Sequence, residues 1–386
     1  MNFSDQKNVF HLWFPNIFEF KGGIQVYSVF LLEALQSLYP KIYYEVFLKH
    51  DTHCLPDFHF LTNTQFHFTG NSPLALRTPA FATKIAGYGL LRQPNLIIST
   101  HLNFTVAAYW IKRLLGIPYW VVAHGVEAWN IERPALKTAL HHADLILPVS
   151  GYTRERLLAE QNLDPKKVSL LPNTFDTNRF KPTPKPHYLL KQYGLKPEQP
   201  VILTVARLAE DEQYKGYDQI LRAIPQIRQN ITDIHYMIVG KGNDRPRIEE
   251  IIAQLGLQNC VTLAGFVPDE QLCDYYNLCD IFAMPSKGEG FGIVYLEALA
   301  CGKPTLGGNQ DGAIDALHHG ELGALVDPDD VNGIANTLIQ ILQGNYPNPL
   351  MYQPEALRQK VIELFGFERF KKTLGAYLEQ HFLSTQ

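Results

Sequence analysis

Cysteine is scarce in this chain. Five occur, Cys54, Cys260, Cys273, Cys279 and Cys301, an odd number with no CxxC pair among them, so free thiols in a reducing compartment are the natural reading. Long hydrophobic runs are missing too. No stretch of about twenty uninterrupted apolar residues occurs, and nothing reads as a membrane span. A basic surplus is also absent: Lys and Arg total 34 against 38 Asp and Glu, a net charge of −4. A nucleic-acid-binding protein would carry the opposite balance, so that class is excluded. The opening MNFSDQKNVF lacks the basic head and long apolar run of a signal peptide. The expected setting is cytoplasmic. The segment AAYWIKRLLG, Ala107 to Gly116, mixes aromatics with Lys112 and Arg113. An amphipathic, core-facing helix is its favoured reading, with weak peripheral contact at the inner face of a membrane left open.

What is present is a soluble balance, 46% hydrophobic and 19% charged over 386 residues, enough for two domains of roughly 180 residues each. Short β-branched or aromatic runs alternate with amphipathic segments throughout. NVFHLWF, YYEVFLKH, NLIIST, YWVVAHG, LILPVS and VSLLPN read as strands in the first half. After the Pro-rich FKPTPKPH (Phe180 to His187), VILTVAR, HYMIVGKG, VTLAGF, IFAMPS, PTLGG and ALVDP continue the pattern. Helix-like stretches fall between them at Gly23–Leu38, Phe104–Leu115, Pro134–His142, Thr153–Gln161, Tyr217–Arg228 and Arg247–Leu255. Alternation of this kind specifies α/β architecture with parallel sheets covered on both faces. We expect two doubly wound, Rossmann-like domains, residues 1–180 and 181–365, followed by a polar amphipathic helix over 366–386. Ligands of such sheets bind beyond the carboxyl ends of the strands, which suggests an interdomain cleft.

The most informative stretch is SKGEGFGIVYLEALACGKP, Ser286 to Pro304. It reads as a glycine-spaced loop running into a helix that Gly302 and Pro304 end. Unpaired N–H groups of a first helical turn favour an anion, and Gly288, Gly290 and Gly292 let backbone approach one closely. Glu297 would lie about 7 Å along the helix from its start, with Glu289 on the other side. A diphosphate between two hydroxyl-rich groups fits that spacing. Singly, each glutamate reads as a solvated residue; with the glycines between them they read as a ligand site.

In TVARLAEDEQYKGYD, Arg207 ends a strand and Lys215 precedes Gly216. Two cations there suit a diphosphate; the alternative is an ion pair with Glu210, Asp211 or Glu212. In the first half, His124 ends the strand YWVVAHG, and Gly22 and Gly23 of KGGIQ (Lys21 to Gln25) open a helix. His101 after NLIIST is similarly placed. Asp327-Pro-Asp329 resembles a cation-binding DxD string, but it precedes a helix and N-capping is the favoured reading. GYGLLR (Gly87 to Arg92) lacks the third glycine of a dinucleotide fingerprint.

Taken together, the glycine pair, Arg207 with Lys215-Gly216, and Glu289-Gly-Phe-Gly with Glu297 resemble the retaining GT-B glycosyltransferases of family 4. LLPNTFDTNRF (Leu170 to Phe180) and GFVPDEQL (Gly265 to Leu272) are similar as well. The resemblance implies a nucleotide-sugar donor held by the second domain, an acceptor held by the first, and a last helix that packs back on the first. Arg207 and Lys215 would neutralise the diphosphate, and Glu297 would hold the ribose. Glu289, with the backbone of Gly290, Phe291, Gly292 and Ile293, would hold the transferred sugar. Phe266 and Val267 would read the base, with Gly240, Lys241 and Gly242 close by. Gly23 would touch the diphosphate, and His124 would stand at the donor sugar. Two departures from the family pattern are visible. The Arg207–Lys215 interval is longer and acidic, and Gln25 and Val26 replace the usual charged or imidazole side chain.

The reaction this implies is hexosyl transfer with retention, the departing phosphate taking the acceptor proton, with no metal and no other cofactor. UDP-glucose is the expected donor on family frequency. A saccharide or lipid-linked glycan is the expected acceptor, in polysaccharide biosynthesis. A sugar-nucleotide epimerase and a non-catalytic nucleotide-sugar-binding protein of the same plan are the alternatives.

Overall fold

A computed structural model describes residues 8–19, 22–55 and 60–383. The chain divides into two compact units, Met1–Thr174 with Phe367–Gln386, and Phe175–Gly366. The first holds strands β1 (Val9–Phe14), β2 (Tyr43–Leu48), β3 (Thr64–Phe68), β4 (Leu96–Ser99), β5 (Tyr119–Ala123) and β6 (Leu145–Pro148). They pair in parallel in the order β3-β2-β1-β4-β5-β6. Helices α1 (Gly23–Leu38), α2 (Leu74–Arg92), α3 (Thr105–Leu115), α4 (Pro134–His142) and α5 (Gly151–Gln161) connect them. The C-terminal helix Phe367–Leu383 packs along α1, its Phe370 edge-on to Tyr27 and its Tyr377 hydroxyl donating to the Leu170 carbonyl.

The second unit holds β7 (Val201–Val205), β8 (His235–Val239), β9 (Val261–Gly265), β10 (Ile281–Met284), β11 (Thr305–Gly308) and β12 (Ala324–Val326). Their parallel order is β12-β11-β10-β7-β8-β9. The helices are α6 (His187–Tyr193), α7 (Tyr217–Asn230), α8 (Arg245–Gln254), α9 (Asp269–Leu278), α10 (Ile293–Ala300), α11 (Ala313–Ala316), α12 (Val331–Leu342) and α13 (Pro354–Phe365). Counted from its own first strand, each sheet runs 3-2-1-4-5-6. That order leaves a crevice where the winding reverses, between β1 and β4 in one unit and between β7 and β10 in the other.

Helices cover both faces, so the central strands are buried along their length, as their unbroken hydrophobic runs require. Every residue of β5 and β8 is buried, and Ile202, Ile220, Ile224, Ile238 and Leu338 join in the core of the second unit.

Two readings need correction. VSLLPN forms no ladder: it makes one bridge, Ile146 with Val168. Pro148, the next bonding position of β6, has no N–H to return the following bond. TQFHF, unmarked in the sequence, is the edge strand β3. The helix over Ala107–Gly116 is core-facing as expected, with Ala108 and Ile111 buried and Ala107 and Tyr109 packed partly against the same core. Trp110 and Leu114, four residues apart on its other side, are 56% and 68% exposed. No described helix is long and apolar enough to cross a membrane.

Candidate functional site

The residues singled out in the second half gather at the β7–β10 switch point. Arg207 follows β7, and Lys215 lies at the end of the same connection, just before α7. The loop Pro285–Gly292 follows β10 and opens α10. Backbone ties the two loops together, Lys287 N–H donating to the Tyr214 carbonyl at 3.0 Å. So does charge: Lys215 Nζ lies 2.8 Å from Glu289 Oε2. The alternative reading of the cations is also realised, because Glu212 accepts from Arg207 and lies 3.7 Å from Lys215 Nζ. Burial works against the Lys215 charge, but Glu289, Tyr214 and Glu212 outweigh it and raise its pKa. Lys215 is therefore a permanent cation, only 12% exposed at its side chain.

Gly292 sits at φ +87°, a conformation that glycine alone adopts readily, and turns the chain into α10. Gly290, Phe291 and Gly292 are buried. Their N–H groups meet no acceptor among the described residues. Buried backbone donors almost always find a partner. Three in succession at a helix start, following Glu289 with its paired Lys215, can accommodate an anion. Ile293, the first residue of α10, is 9% exposed.

One buried side chain, missed in the sequence, shapes that loop. Asp311, fully buried after β11, accepts from Ser286 Oγ and Glu289 N at 2.7 Å each and from Ala313 N at 2.9 Å. Burial pushes its pKa up to about 6. Nothing in the NQDGA string marks this role, since the partners are distant in sequence. Along α10, Glu297 accepts from the Tyr276 hydroxyl of α9 at 2.7 Å. Loss of water pushes its pKa up to about 7.

The loop after β8 is the third wall. Gly240 lies against Ala206, where a Cβ would come within 1.8 Å of the carbonyl oxygen. Asp244 fixes the end of this loop, joined by Arg247, which also chelates Asp218. Lys241 Nζ stands 4.7 Å from the ring centre of Phe266, which is 63% exposed after β9, while Val267 beside it is 7% exposed. Asp327 and Asp329 are engaged otherwise. Asp329 pairs with Lys287 at 2.6 Å and Asp327 accepts from Asp329 N. The cap of α12 is Asp330, bonded to Gly333 N, which corrects the expected capping residue.

The first unit carries its own strand-end cluster. Asp51, at the end of β2, accepts from the N–H groups of Ile17, Phe18 and Glu19 and so shapes the loop after β1. Lys21 lies outside the described residues; Gly22 caps α1 and Gly23 begins it, exposed. Gln25 donates to Asn16. His124 follows β5, its ring edge-on to Tyr27 at 5.0 Å and its N–H donating to Glu127. Its Nε2 has no hydrogen-bond partner among the described residues. Burial, then the nearby His101, pushes its pKa down to about 3, so the ring is neutral. Burial likewise holds His101 down to about 4.

Residues 21–179 match the model of Glycosyltransferase Family 4, and 189–360 that of Glycosyl transferases group 1. A GDP-mannose-dependent alpha-(1-6)-phosphatidylinositol monomannoside mannosyltransferase of Mycobacterium tuberculosis is 31% identical over 296 residues, 68% of this chain and 76% of that protein. Its counterpart from Mycolicibacterium smegmatis is 33% identical over 57% of this chain and 59% of its own length, less than two thirds. A sucrose-phosphate synthase from Thermosynechococcus elongatus superposes with a TM-score of 0.80 at 22% identity, over 98% of this chain and 100% of the other. A glycosyltransferase from Rickettsia africae gives 0.77 at 20%, over 97% and 98%.

Proposed function

The chain belongs to the GT-B glycosyltransferases of family 4, and from that premise we propose that it moves a hexose from a nucleoside diphosphate sugar to a sugar hydroxyl, with retention. The observation that carries this reading is the run of buried, unpartnered N–H groups at Gly290–Gly292 beside Lys215. Cleavage of the anomeric C–O bond builds charge on the leaving diphosphate, and preorganised donors there are the largest source of acceleration. In this reading Arg207, Lys215 and the start of α10 take that charge, Arg207 exchanging Glu212 for phosphate. Glu297 receives the ribose hydroxyls. Glu289, already placed by Lys215, orients the sugar. Phe266 and Val267 border the base, beside Gly240 and Lys241. The neutral His124 offers its unpaired Nε2 to a sugar hydroxyl, and the leaving phosphate collects the acceptor proton.

Two donors compete. UDP-glucose rests on family frequency, whereas the names of the mannosyltransferase relatives favour GDP-mannose, and we place GDP-mannose first. For the acceptor we favour a lipid-linked glycan over a free saccharide, with the first unit resting on a membrane. In support, α2 and α3 pack together and contain five Lys and Arg but no Asp or Glu, two of them, Arg92 and Lys112, being paired with Glu45 and Asp144 of neighbouring segments. Leu74, Leu91, Trp110 and Leu114 are more than half exposed on them. A basic helical surface with protruding apolar side chains suits anionic lipid. A nucleotide-release assay over UDP- and GDP-linked hexoses, with and without glycolipid, tests the proposal. Release from none of them overturns it, and a product of inverted configuration removes the retaining mechanism.

A further inference from the structure

Four thiols lie in the second unit, and only two of them face each other. Cys260 and Cys279 are buried and spend their protons on the carbonyls of Leu257 and Tyr276. Cys273 on α9 and Cys301 at the end of α10 stand with their sulfurs 3.8 Å apart. Cys301 is 1% exposed, whereas Cys273 is half-buried and within reach of small solutes. Fully buried Asn277 places its Nδ2 3.4 Å from the Cys273 sulfur while donating to the Lys181 and Cys273 carbonyls at 3.0 Å each, which fixes the start of the turn that carries Cys273. Either sulfur can donate to the other; with Cys301 donating, the contact lowers the Cys273 pKa and, with burial, raises that of Cys301. An accessible, thiolate-prone cysteine beside a buried resolving partner is the arrangement of an oxidisable pair.

We propose that Cys273 and Cys301 form a peroxide-sensitive dithiol that closes to a disulfide between α9 and α10. The Cys273 thiolate attacks one oxygen of hydrogen peroxide. The O–O bond breaks, hydroxide leaves and takes up a proton, and a sulfenic acid remains on Cys273. The Cys301 sulfur then loses its proton and attacks the Cys273 sulfur, expelling the sulfenic oxygen as water. Two thiols and one peroxide give one disulfide and two waters. Closure brings the sulfurs to about 2.05 Å, through side-chain rotation, a displacement of the two helices, or both. The Tyr276–Glu297 hydrogen bond joins the same two helices, Tyr276 three residues after Cys273 and Glu297 four before Cys301. A closure that displaces the helices alters that bond. On the donor-site reading given above, oxidation then weakens nucleotide binding.

The experiment treats the reduced full chain with stoichiometric hydrogen peroxide. Intact mass should fall by two hydrogens, and non-reducing peptide mapping should find Cys273 joined to Cys301. Cys301→Ser should stop at a sulfenic acid on Cys273 that dimedone traps, and Cys273→Ser should not react. Both thiols remaining fully alkylatable, or a bridge between other cysteines, overturns the proposal. Titration with GDP and UDP reads the coupling: a fall in affinity of threefold or more on oxidation, reversed by dithiothreitol and absent in Cys273→Ser, supports it. Equal affinity in both states overturns the coupling. If neither form binds either nucleotide, the donor-site reading and the coupling fail together, while the linked peptide still decides the dithiol.

Discussion

Lys215 Nζ lies 2.8 Å from Glu289 Oε2, and that ion pair joins the connection after β7 to the loop after β10. The pair is a clasp across the switch point as well as a source of charge. It holds a cation beside three unpaired N–H groups before any ligand arrives. Preorganisation of this kind spares the reaction the cost of reorienting dipoles as charge develops.

Removing either cation should therefore damage turnover more than folding. Lys215→Ala and Arg207→Ala are each expected to lower kcat by about a hundredfold, with melting temperatures checked in parallel. Arg207, 60% exposed at its side chain, should leave stability nearly unchanged. Steady-state rates within threefold of the parent would remove these residues from the leaving-group site.

Glu212 makes a contrasting prediction. Its carboxylate engages both Arg207 and Lys215, so it competes with a diphosphate for the same charge. A unit charge about 6 Å away is worth roughly 0.7 kcal/mol in bulk water, on the order of threefold in affinity, and more at a side chain only 11% exposed. Glu212→Gln should tighten GDP or UDP binding by at least that factor in a calorimetric titration. Weaker binding would mean that Glu212 orients the cations more than it opposes the ligand.

Much of this was legible in the chain because it is local. Strand-terminal Arg207, the glycines around Glu289 and the spacing to Glu297 lie within short windows, and unbroken apolar runs marked nearly every strand. What escaped depends on contacts between distant segments. Asp311 supports the loop after β10 from another strand end, Asp51 organises the loop after β1 from β2, and Arg247 joins Asp244 to Asp218 across two helices. Edge strand β3 mixes polar residues with its aromatics, and the helix α2, with Pro79 inside it, lacks a clear start signal. The Asp327–Asp329 string misled as to the capping residue because Asp330 also stands within reach of the helix start.

Asp311 allows a test of that support. An amide in its place can accept through one oxygen only, leaving a buried N–H of Glu289 or Ala313, or Ser286 Oγ, without its partner. Asp311→Asn should cost about 2 kcal/mol, read as a lowered denaturation midpoint, and should raise the donor KM. An unchanged midpoint would show that the loop holds its shape by backbone contacts alone.

The surface of α2 and α3 predicts lipid binding that depends on charge. Co-sedimentation with vesicles containing anionic phospholipid should exceed that with neutral vesicles and decline with salt. Replacing Leu91 and Leu114, 82% and 68% exposed, by Asp should abolish it without lowering nucleotide affinity. Equal retention on both vesicle types, or none on either, would remove the membrane from the reading.

Glu297 gives the site a pH dependence whose sign follows from its raised pKa. Ribose hydroxyls donate to a carboxylate, so the competent form is the deprotonated one, which predominates only above about 7. A sugar nucleotide is the right probe, because its diphosphate is esterified at both ends and loses no proton near neutrality. Its affinity should rise between pH 6 and 8, and Glu297→Gln should bind more weakly at pH 8 and show no such rise. Folding responds in the opposite sense. A carboxyl that binds its proton more tightly when folded adds stability that is complete below its unfolded pKa of 4.5 and is lost as pH climbs through the folded value. The shift from 4.5 to about 7 corresponds to about 3 kcal/mol. The parent should thus lose melting temperature relative to Glu297→Gln between pH 5 and 8. Parallel melting curves across that range would show that the carboxyl titrates alike in the folded and unfolded chain, and the affinity profile would then need another source.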